Sequence, residues 1–218
     1  MAKKIGVLLS GCGVFDGTEI HESVLTLLFL DRAGATVRCM APDMDQLHVI
    51  DHLRQQPSEE RRNVLVESAR IARGDIENIR SVKADDIDAL IIPGGFGAAK
   101  NLSDFAVNGP EAVVHSEVKR LLEEMATRAK PIGAICIAPA TLVRALADRS
   151  LRVTIGNDVG TASAIETMGG QHVVCGVDEI CIDEKNRVVT TPAYMLGPGI
   201  ADVAAGIEKL VDAILAMC

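Results

Sequence analysis

The sequence contains few aromatic residues, which make up only 2% of its 218 positions and include one tyrosine and no tryptophan. Because hydrophobic residues still account for 48% of the chain, the core must consist mainly of aliphatic side chains and methionine. Continuous aliphatic runs are typical of strands in a parallel sheet that helices cover on both faces. The length suits one domain with a substantial core.

The chain also lacks the features of membrane and nucleic-acid-binding proteins. No apolar stretch reaches the roughly 18 residues that a membrane-spanning helix needs, and the N-terminal residues lead directly into a strand-like run without a separate apolar region. The net charge is −8, and no basic cluster is longer than Arg61–Arg62, whereas binding to a nucleic-acid backbone needs a basic face. We therefore predict neither a membrane nor a nucleic-acid partner.

The six cysteines follow no pattern of a metal site or a disulfide framework. None of them forms a Cys-x-x-Cys pair, and none has a histidine at metal-ligand spacing. This pattern predicts reduced thiols, a cytoplasmic location, and no bound metal or cofactor.

Strand-like and helix-like segments alternate along the chain. We predict strands at residues 5–9, 36–40, 89–92, 131–135 and 151–155, a hairpin at 179–190, and helices at 18–33, 111–128, 137–147, 161–168 and 200–217. This alternation predicts an α/β fold with a mostly parallel sheet and helices on both faces, in which Thr18 caps the first helix. The polar region at about 44–84, with a helical stretch at 58–72, is expected to be a surface insertion in a single domain spanning 1–218.

One cysteine lies where a predicted strand becomes a helix. The run Ile-Gly-Ala-Ile-Cys-Ile-Ala-Pro-Ala places Cys136 at the carboxyl end of the strand, where parallel sheets bind ligands. A side chain at such a tight turn projects above the sheet, as the nucleophilic serine of many hydrolases does. The N–H groups at a helix start favour a thiolate, so we expect a nucleophile with a lowered pKa. The alternative is a small buried residue in a turn.

Glycine loops at two other strand ends are expected to meet Cys136. They are Ser10–Gly13 and Pro93–Gly97. Since glycine lets the backbone approach a ligand closely, the N–H groups of Gly94 and Gly95, together with that of Ile137, would face a developing oxyanion.

The first predicted helix carries a candidate acid. Residues 24–30 are apolar almost all round, which predicts contact with the sheet on one side and with a second subunit of a homodimer on the other. Glu22 lies roughly opposite the Val24/Leu28 stripe, where burial would raise its pKa and let it carry a proton near neutral pH. The alternative is a solvated glutamate that the helix dipole favours. The strand end at 189–194, where a Cys-His-Glu triad would place its histidine, has none.

Four motifs in this order resemble the ThiJ/PfpI superfamily of class I glutamine-amidotransferase-like folds. They occupy residues 10–22, 92–102, 136–140 and 190–195. The resemblance covers nearly the whole chain and implies a flavodoxin-like three-layer sandwich, a homodimer, and a reactive Cys136 that hydrogen bonds to Glu22. It implies that Gly95 and Ile137 supply the oxyanion N–H groups.

The resemblance also implies an activity. It is that of a cofactor-independent glyoxalase, a lyase that converts glyoxal to glycolate without glutathione or metal, with links to repair of early glycation adducts and to isoprenoid biosynthesis. Many superfamily members carry a histidine near the strand end after the elbow helix, but here Thr154–Asp158 contains none. This departure argues against a Cys-His dyad and against peptidase or amidase activity.

Two other functions stay open at this point. The glycines of Gly11-x-Gly13-x-x-x-Gly17 follow a strand and open a helix, as in dinucleotide-binding oxidoreductases, although the spacing departs from that motif. A non-enzymatic redox sensor or partner-binding protein would instead use Cys136 as an oxidation site.

Overall fold

A central seven-stranded sheet organises the chain, of which the computed structural model describes residues 2–218. In chain order the strands are β1 (Lys4–Leu8), β2 (Thr36–Ala41), β3 (Ile50–Asp51), β4 (Gln56–Pro57), β5 (Glu77–Asn78), β6 (Ala89–Ile92), β7 (Ile132–Ile135), β8 (Arg152–Val153), β9 (Gln171–His172), β10 (Cys181–Asp183) and β11 (Val188–Thr191). The central sheet has the order β10-β11-β7-β6-β1-β2-β5. Within it β10 pairs antiparallel with β11, and the other neighbours are parallel.

Helices cover both faces of this sheet. They are α1 (Ile20–Arg32), α2 (Val64–Ile71), α3 (Phe96–Lys100), α4 (Phe105–Asn108), α5 (Ser116–Thr127), α6 (Ala138–Ala145), α7 (Val159–Thr167) and α8 (Ile200–Met217). Successive strand residues point to opposite faces, and so the sheet separates two hydrophobic cores. Leu90 and Ile92 pack with residues of α5 and α6, whereas Ile91 packs with residues of α1 and α8. The predicted α/β class and three-layer sandwich are confirmed.

The region predicted as a surface insertion divides into two parts. Its first half contains the exposed hairpin of β3 and β4. For its second half the prediction is wrong, because β5 extends the central sheet beside β2, and Ile79 and Val82 are fully buried in a core. Helix α2 also starts later than predicted, since β4 pairs with β3 and Asn63 caps the helix by accepting from the Val66 N–H at 3.0 Å.

The first helix begins two residues later than predicted. Glu19, rather than Thr18, is its N-cap, because the Glu19 carboxylate accepts from the Glu22 N–H at 2.7 Å. The Thr18 hydroxyl instead accepts from the Ser10 N–H at 2.6 Å. The start of α1 is thereby tied to the loop after β1, which places Glu22 at the carboxyl edge of the sheet. No helix within residues 2–218 has the length and apolar character needed to cross a membrane.

Candidate active site at the strand-to-helix elbow

Cys136 occupies a strained turn between β7 and α6. Its φ angle is +61°, a conformation that costs a non-glycine residue on the order of 1–3 kcal/mol and persists only where its surroundings enforce it. The Cys136 N–H donates to the Thr191 carbonyl at the end of β11 at 2.9 Å. This is the geometry of a nucleophile elbow, which aims the side chain above the carboxyl edge of the sheet.

Glu22 lies fully buried beside this cysteine. One carboxyl oxygen, Oε2, accepts from the Gly94 N–H at 2.8 Å, and Oε1 accepts from the Tyr194 N–H at 3.3 Å. A further hydrogen bond joins the carboxyl group to the side chain of Cys136. The alternative of a solvated glutamate is therefore wrong.

The three predicted oxyanion donors have two different partners. The N–H groups of Gly95 and Ile137 hydrogen bond to the Cys136 side chain, so both face the sulfur and remain our predicted oxyanion donors. The Gly94 N–H, in contrast, is bonded to Glu22. Gly94 therefore orients the acid in this structure, and its role in binding an oxyanion stays a prediction.

Glycine is required at both positions of this loop. A Cβ atom on Gly94 would lie 2.4 Å from the Cys136 Cβ and 2.8 Å from Glu22 Oε2. Gly95 has a φ of +89°, and its Cβ would lie 2.3 Å from the Glu19 nitrogen. Only glycine lets the backbone approach the cysteine and the start of α1 this closely.

The cysteine and the glutamate influence each other's pKa. Burial, with a smaller contribution from the Glu19 carboxylate, raises the pKa of Glu22 to about 8. Burial and the Glu22 charge also raise the pKa of the Cys136 thiol, and outweigh the N–H groups of Gly95 and Ile137. The predicted lowering of the thiol pKa is wrong, because the helix start acts on a side chain that has lost most of its contact with water.

Two hydrogen-bonded acids of this kind titrate as a pair. Since the pKa of Glu22 is about 8, its carboxyl group is mostly protonated near pH 7 and donates a hydrogen bond. Loss of one proton leaves a single negative charge, which lies on the carboxyl group because burial and Glu22 hold the pKa of the thiol higher. The site therefore holds a nucleophile and a proton carrier in direct contact.

Access to the sulfur is narrow. Cys136 is 8% exposed, and a groove of about 570 Å³ lies instead along the hairpin, where residues 49–62 supply its lining. This low exposure favours a small electrophile over a large one. Among residues 2–218, no group of three or more His, Cys, Asp or Glu side chains is arranged to hold a metal ion.

The glycine loop after β1 is closed to a dinucleotide phosphate. The Gly11 N–H donates to the Ser68 hydroxyl at 2.9 Å, and the N–H groups of Gly13 and Gly17 donate to carbonyl groups within the loop. The Glu19 carboxylate already occupies the start of α1. The N–H groups of the three motif glycines are thus already bonded, which argues against the dinucleotide-binding alternative.

One residue at the site was not expected to contribute. Tyr194, the only tyrosine, follows β11, and its side-chain hydroxyl forms a 2.7 Å hydrogen bond with His21 Nδ1. The sequence pointed to Tyr194 only through its position, since it lies at the strand end where a Cys-His-Glu triad would place its histidine. The stretch stands out in the sequence for its lack of histidine and as one of the four motifs of the family resemblance.

A three-layer sandwich with a cysteine elbow and a buried acid on its first helix defines a known class of proteins. The sequence pattern of the DJ-1/PfpI family matches residues 12–195, and the chain belongs to this family.

Named relatives and solved structures agree with this family. The chain is 48% identical over 222 residues to the rat "ES1 protein homolog, mitochondrial", with 97% of this chain and 83% of that protein covered. It is 49% identical over 224 residues to the human "Glutamine amidotransferase-like class 1 domain-containing protein 3, mitochondrial", with 98% and 83% covered.

A crystal structure from Ehrlichia chaffeensis, described as an isoprenoid biosynthesis protein with an amidotransferase-like domain, has a TM-score of 0.94 and 39% identity over 99% of both chains. Drosophila melanogaster DJ-1beta has a TM-score of 0.56 at 20% identity, with 100% of this chain and 96% of that chain covered, and shows a shared fold alone.

Proposed function

We propose that the protein is a cofactor-independent glyoxalase that converts glyoxal, or a closely related small dicarbonyl, to the hydroxy acid. The observation that carries this proposal is the contact between Cys136 and a fully buried Glu22 whose pKa is about 8. The reaction needs a nucleophile that forms a covalent adduct and an acid-base group that moves protons on that adduct near neutral pH. This pair supplies both.

In the first step the Cys136 sulfur adds to one aldehyde carbon of glyoxal. An S–C bond forms, the C=O double bond becomes a single bond, and the thiol proton reaches the aldehyde oxygen through the Glu22 carboxyl group. The N–H groups of Gly95 and Ile137, which contact the sulfur, are the nearest backbone donors for the negative charge that develops on this oxygen. The product is a hemithioacetal.

In the second step the Glu22 carboxylate removes the proton from the carbon that is bonded to sulfur. An enediolate forms, Glu22 then delivers this proton to the adjacent carbon, and the hydroxyl proton of the first carbon passes to the oxygen of the second. One carbon is oxidised to a thioester while its neighbour is reduced to an alcohol, so no external oxidant or reductant takes part. Water cleaves the thioester, which releases glycolate and restores the thiol.

The four sequence motifs described above resemble those of ElbB, the "enhancing lycopene biosynthesis" protein. This resemblance implies glyoxalase activity. We extend the proposal to repair of early glycation adducts, because such adducts carry the same dicarbonyl carbons. The description of the Ehrlichia chaffeensis structure as an isoprenoid biosynthesis protein supports a link of this chain to that metabolism.

A steady-state assay of glyoxal tests the proposal, with glycolate followed by NMR. We expect turnover by the wild type and its loss in Cys136→Ser. Cys218→Ser, which changes a cysteine at the chain end, is the matched control and should keep the activity. Turnover that survives in Cys136→Ser would contradict the proposal.

The alternative of a redox-sensing or partner-binding protein has less support. A sensor cysteine is typically exposed and has a low pKa, whereas Cys136 is 8% exposed and burial raises its pKa. Oxidation of Cys136 by dilute hydrogen peroxide in a protein that turns over no dicarbonyl would favour the sensor.

We also propose a homodimer that forms through α1. Ile20, Val24 and Leu28 lie on one stripe of this helix and are 42%, 49% and 39% exposed. Burial of such a stripe against a second copy would stabilise a dimer by the hydrophobic effect.

A cytoplasmic location stays a prediction. All six cysteines are free thiols, as a reducing compartment requires, while the names of the rat and human relatives assign those proteins to mitochondria. Cell fractionation with an antibody against this chain would decide the compartment.

A further inference from the structure

The loop that follows β11 contacts both members of the proposed catalytic pair. The Thr191 carbonyl accepts from the Cys136 N–H at 2.9 Å, and three residues later the Tyr194 N–H donates to Glu22 Oε1 at 3.3 Å. The second of these bonds is long, so its strength depends on how well the loop is held in place. A movement of this loop would release one oxygen of the carboxyl group.

The loop needs such support because part of its backbone is strained. Ala193 is fully buried and has a φ of +45°, which costs a non-glycine residue on the order of 1–3 kcal/mol. This conformation turns the N–H of the next residue, Tyr194, toward Glu22. Other contacts of the loop must therefore keep Ala193 in this unfavourable conformation.

One such contact is the hydrogen bond between the Tyr194 hydroxyl and His21 Nδ1, which measures 2.7 Å. The two rings also pack together, with centroids 5.8 Å apart. His21 immediately precedes Glu22 on α1, so this bond ties the loop to the same helical turn that carries the acid. Tyr194 occupies the strand end where a Cys-His-Glu triad would place its histidine. The histidine that contacts Tyr194 is His21, on α1.

We infer that His21 and Tyr194 are positioning residues, whose hydrogen bond holds the Tyr194 N–H on Glu22 and thereby fixes the carboxyl group beside Cys136. The inference rests on the proposed glyoxalase function. Neither side chain is required to contact the reacting atoms. Their effect should therefore appear in kcat rather than in KM.

The direction of one further effect follows from the geometry. The Tyr194 N–H stabilises the charged carboxylate and so lowers the pKa of Glu22 against the raising effects of burial and of Glu19. If the loop relaxes, this N–H moves away and the pKa of Glu22 rises further above about 8. The titratable groups that act on Glu22 are Cys136, Glu19 and Tyr194. The Tyr194→Phe substitution leaves Cys136 and Glu19 unchanged.

The test compares Tyr194→Phe, which keeps the ring and the N–H but removes the hydroxyl, with His21→Ala. Each should lower kcat for glyoxal about 5- to 10-fold, the worth of about one hydrogen bond, with KM almost unchanged and the pH–rate profile displaced to higher pH. His21→Asn keeps a hydrogen-bonding group near the position of Nδ1 and should restore part of kcat. The double variant should lose no more than either single one. The control His48→Asn, at an exposed histidine of the hairpin region, should match the wild type.

Several results would overturn the inference. One is wild-type kinetics in Tyr194→Phe. Another is a loss of kcat in the double variant equal to the combined losses of the two single variants. A third is a rise in KM in the single variants with an undisplaced pH profile, which would indicate direct contact with substrate. The pH dependence of Cys136 alkylation by iodoacetamide separates this inference from the proposed function. If the wild type does not turn over glyoxal, the glyoxalase proposal fails, while a displaced alkylation profile in Tyr194→Phe would still support the positioning role and an undisplaced one would refute it.

Discussion

The burial of Glu22 should make the stability of the protein depend on pH in a way that one substitution removes. The pKa of Glu22 rises from its ordinary 4.5 to about 8 in the folded chain, so the folded state binds this proton more tightly than the unfolded state. A raised acid contributes stability that is fully present below pH 4.5 and is lost as the pH rises through about 8. At about 1.4 kcal/mol for each pKa unit, the free energy of unfolding should fall by about 3 kcal/mol between pH 5 and pH 8.

Glu22→Gln should remove this dependence. A glutamine amide is neutral at every pH and still offers an oxygen to one of the two N–H groups that bind the carboxyl group. A chain of this size changes its Tm by about 2–4 °C for each kcal/mol. The difference in Tm between the variant and the wild type should therefore move in favour of the variant by about 6–12 °C from pH 5 to pH 8.

Calorimetry at pH 5, 6, 7 and 8 would measure this difference. Glu208→Gln, at an exposed position of α8, is the matched control, and its Tm should stay parallel to that of the wild type. If the Tm of Glu22→Gln also runs parallel to the wild type over this range, Glu22 is charged in the folded protein near pH 5 and the proton-carrier mechanism loses its basis.

Three further predictions follow from the same geometry. The kcat/KM for glyoxal should rise with pH through about 8, as the elbow pair ionises, and a flat profile would contradict the mechanism. Gly95→Ala should destabilise the fold by at least about 3 kcal/mol, against about 1 kcal/mol for Gly34→Ala. Both glycines have a positive φ, but only at Gly95 would the added Cβ collide with neighbouring atoms. Denaturant titration would compare the two variants, and equal losses of stability would contradict the packing argument. Val24→Asp should convert the proposed dimer to a monomer in light scattering, while Val66→Asp on α2 should not, and a wild-type monomer at micromolar concentration would refute the dimer.

The parts of this site that the sequence could predict are those that depend on local chain geometry. A strand that runs into a helix at Cys136 dictates an elbow, and parallel strands bring their carboxyl ends to one edge of the sheet. The apolar run after Glu22 likewise required α1 to be covered on more than one side, which implied a buried acid. Each of these inferences needs only neighbouring residues and the topology of an α/β sheet.

The parts that could not be predicted depend on contacts between distant segments. Threonine is a favourable N-cap residue, so the local sequence allows Thr18 in this role. In the fold, however, the Thr18 hydroxyl accepts a hydrogen bond from the Ser10 N–H and does not cap the helix. The bond between His21 and Tyr194 joins residues 173 positions apart. The predicted pKa of Cys136 was wrong for the same reason, since the helix start is visible in the sequence whereas burial beside Glu22 is not.

The burial that should cost stability is also what suits Glu22 to its proposed chemistry. A solvated glutamate with a pKa near 4.5 would be a carboxylate at pH 7 but only a weak base toward a proton on carbon. A pKa of about 8 makes both protonation states available within one pH unit of neutrality. Removal of the pair from water therefore does the work that a histidine does in other cysteine sites, without introducing a positive charge beside the sulfur. A change that restores water to Glu22 should accordingly stabilise the chain above pH 7 and weaken proton transfer together, as expected where a functional group is held in an unfavourable environment.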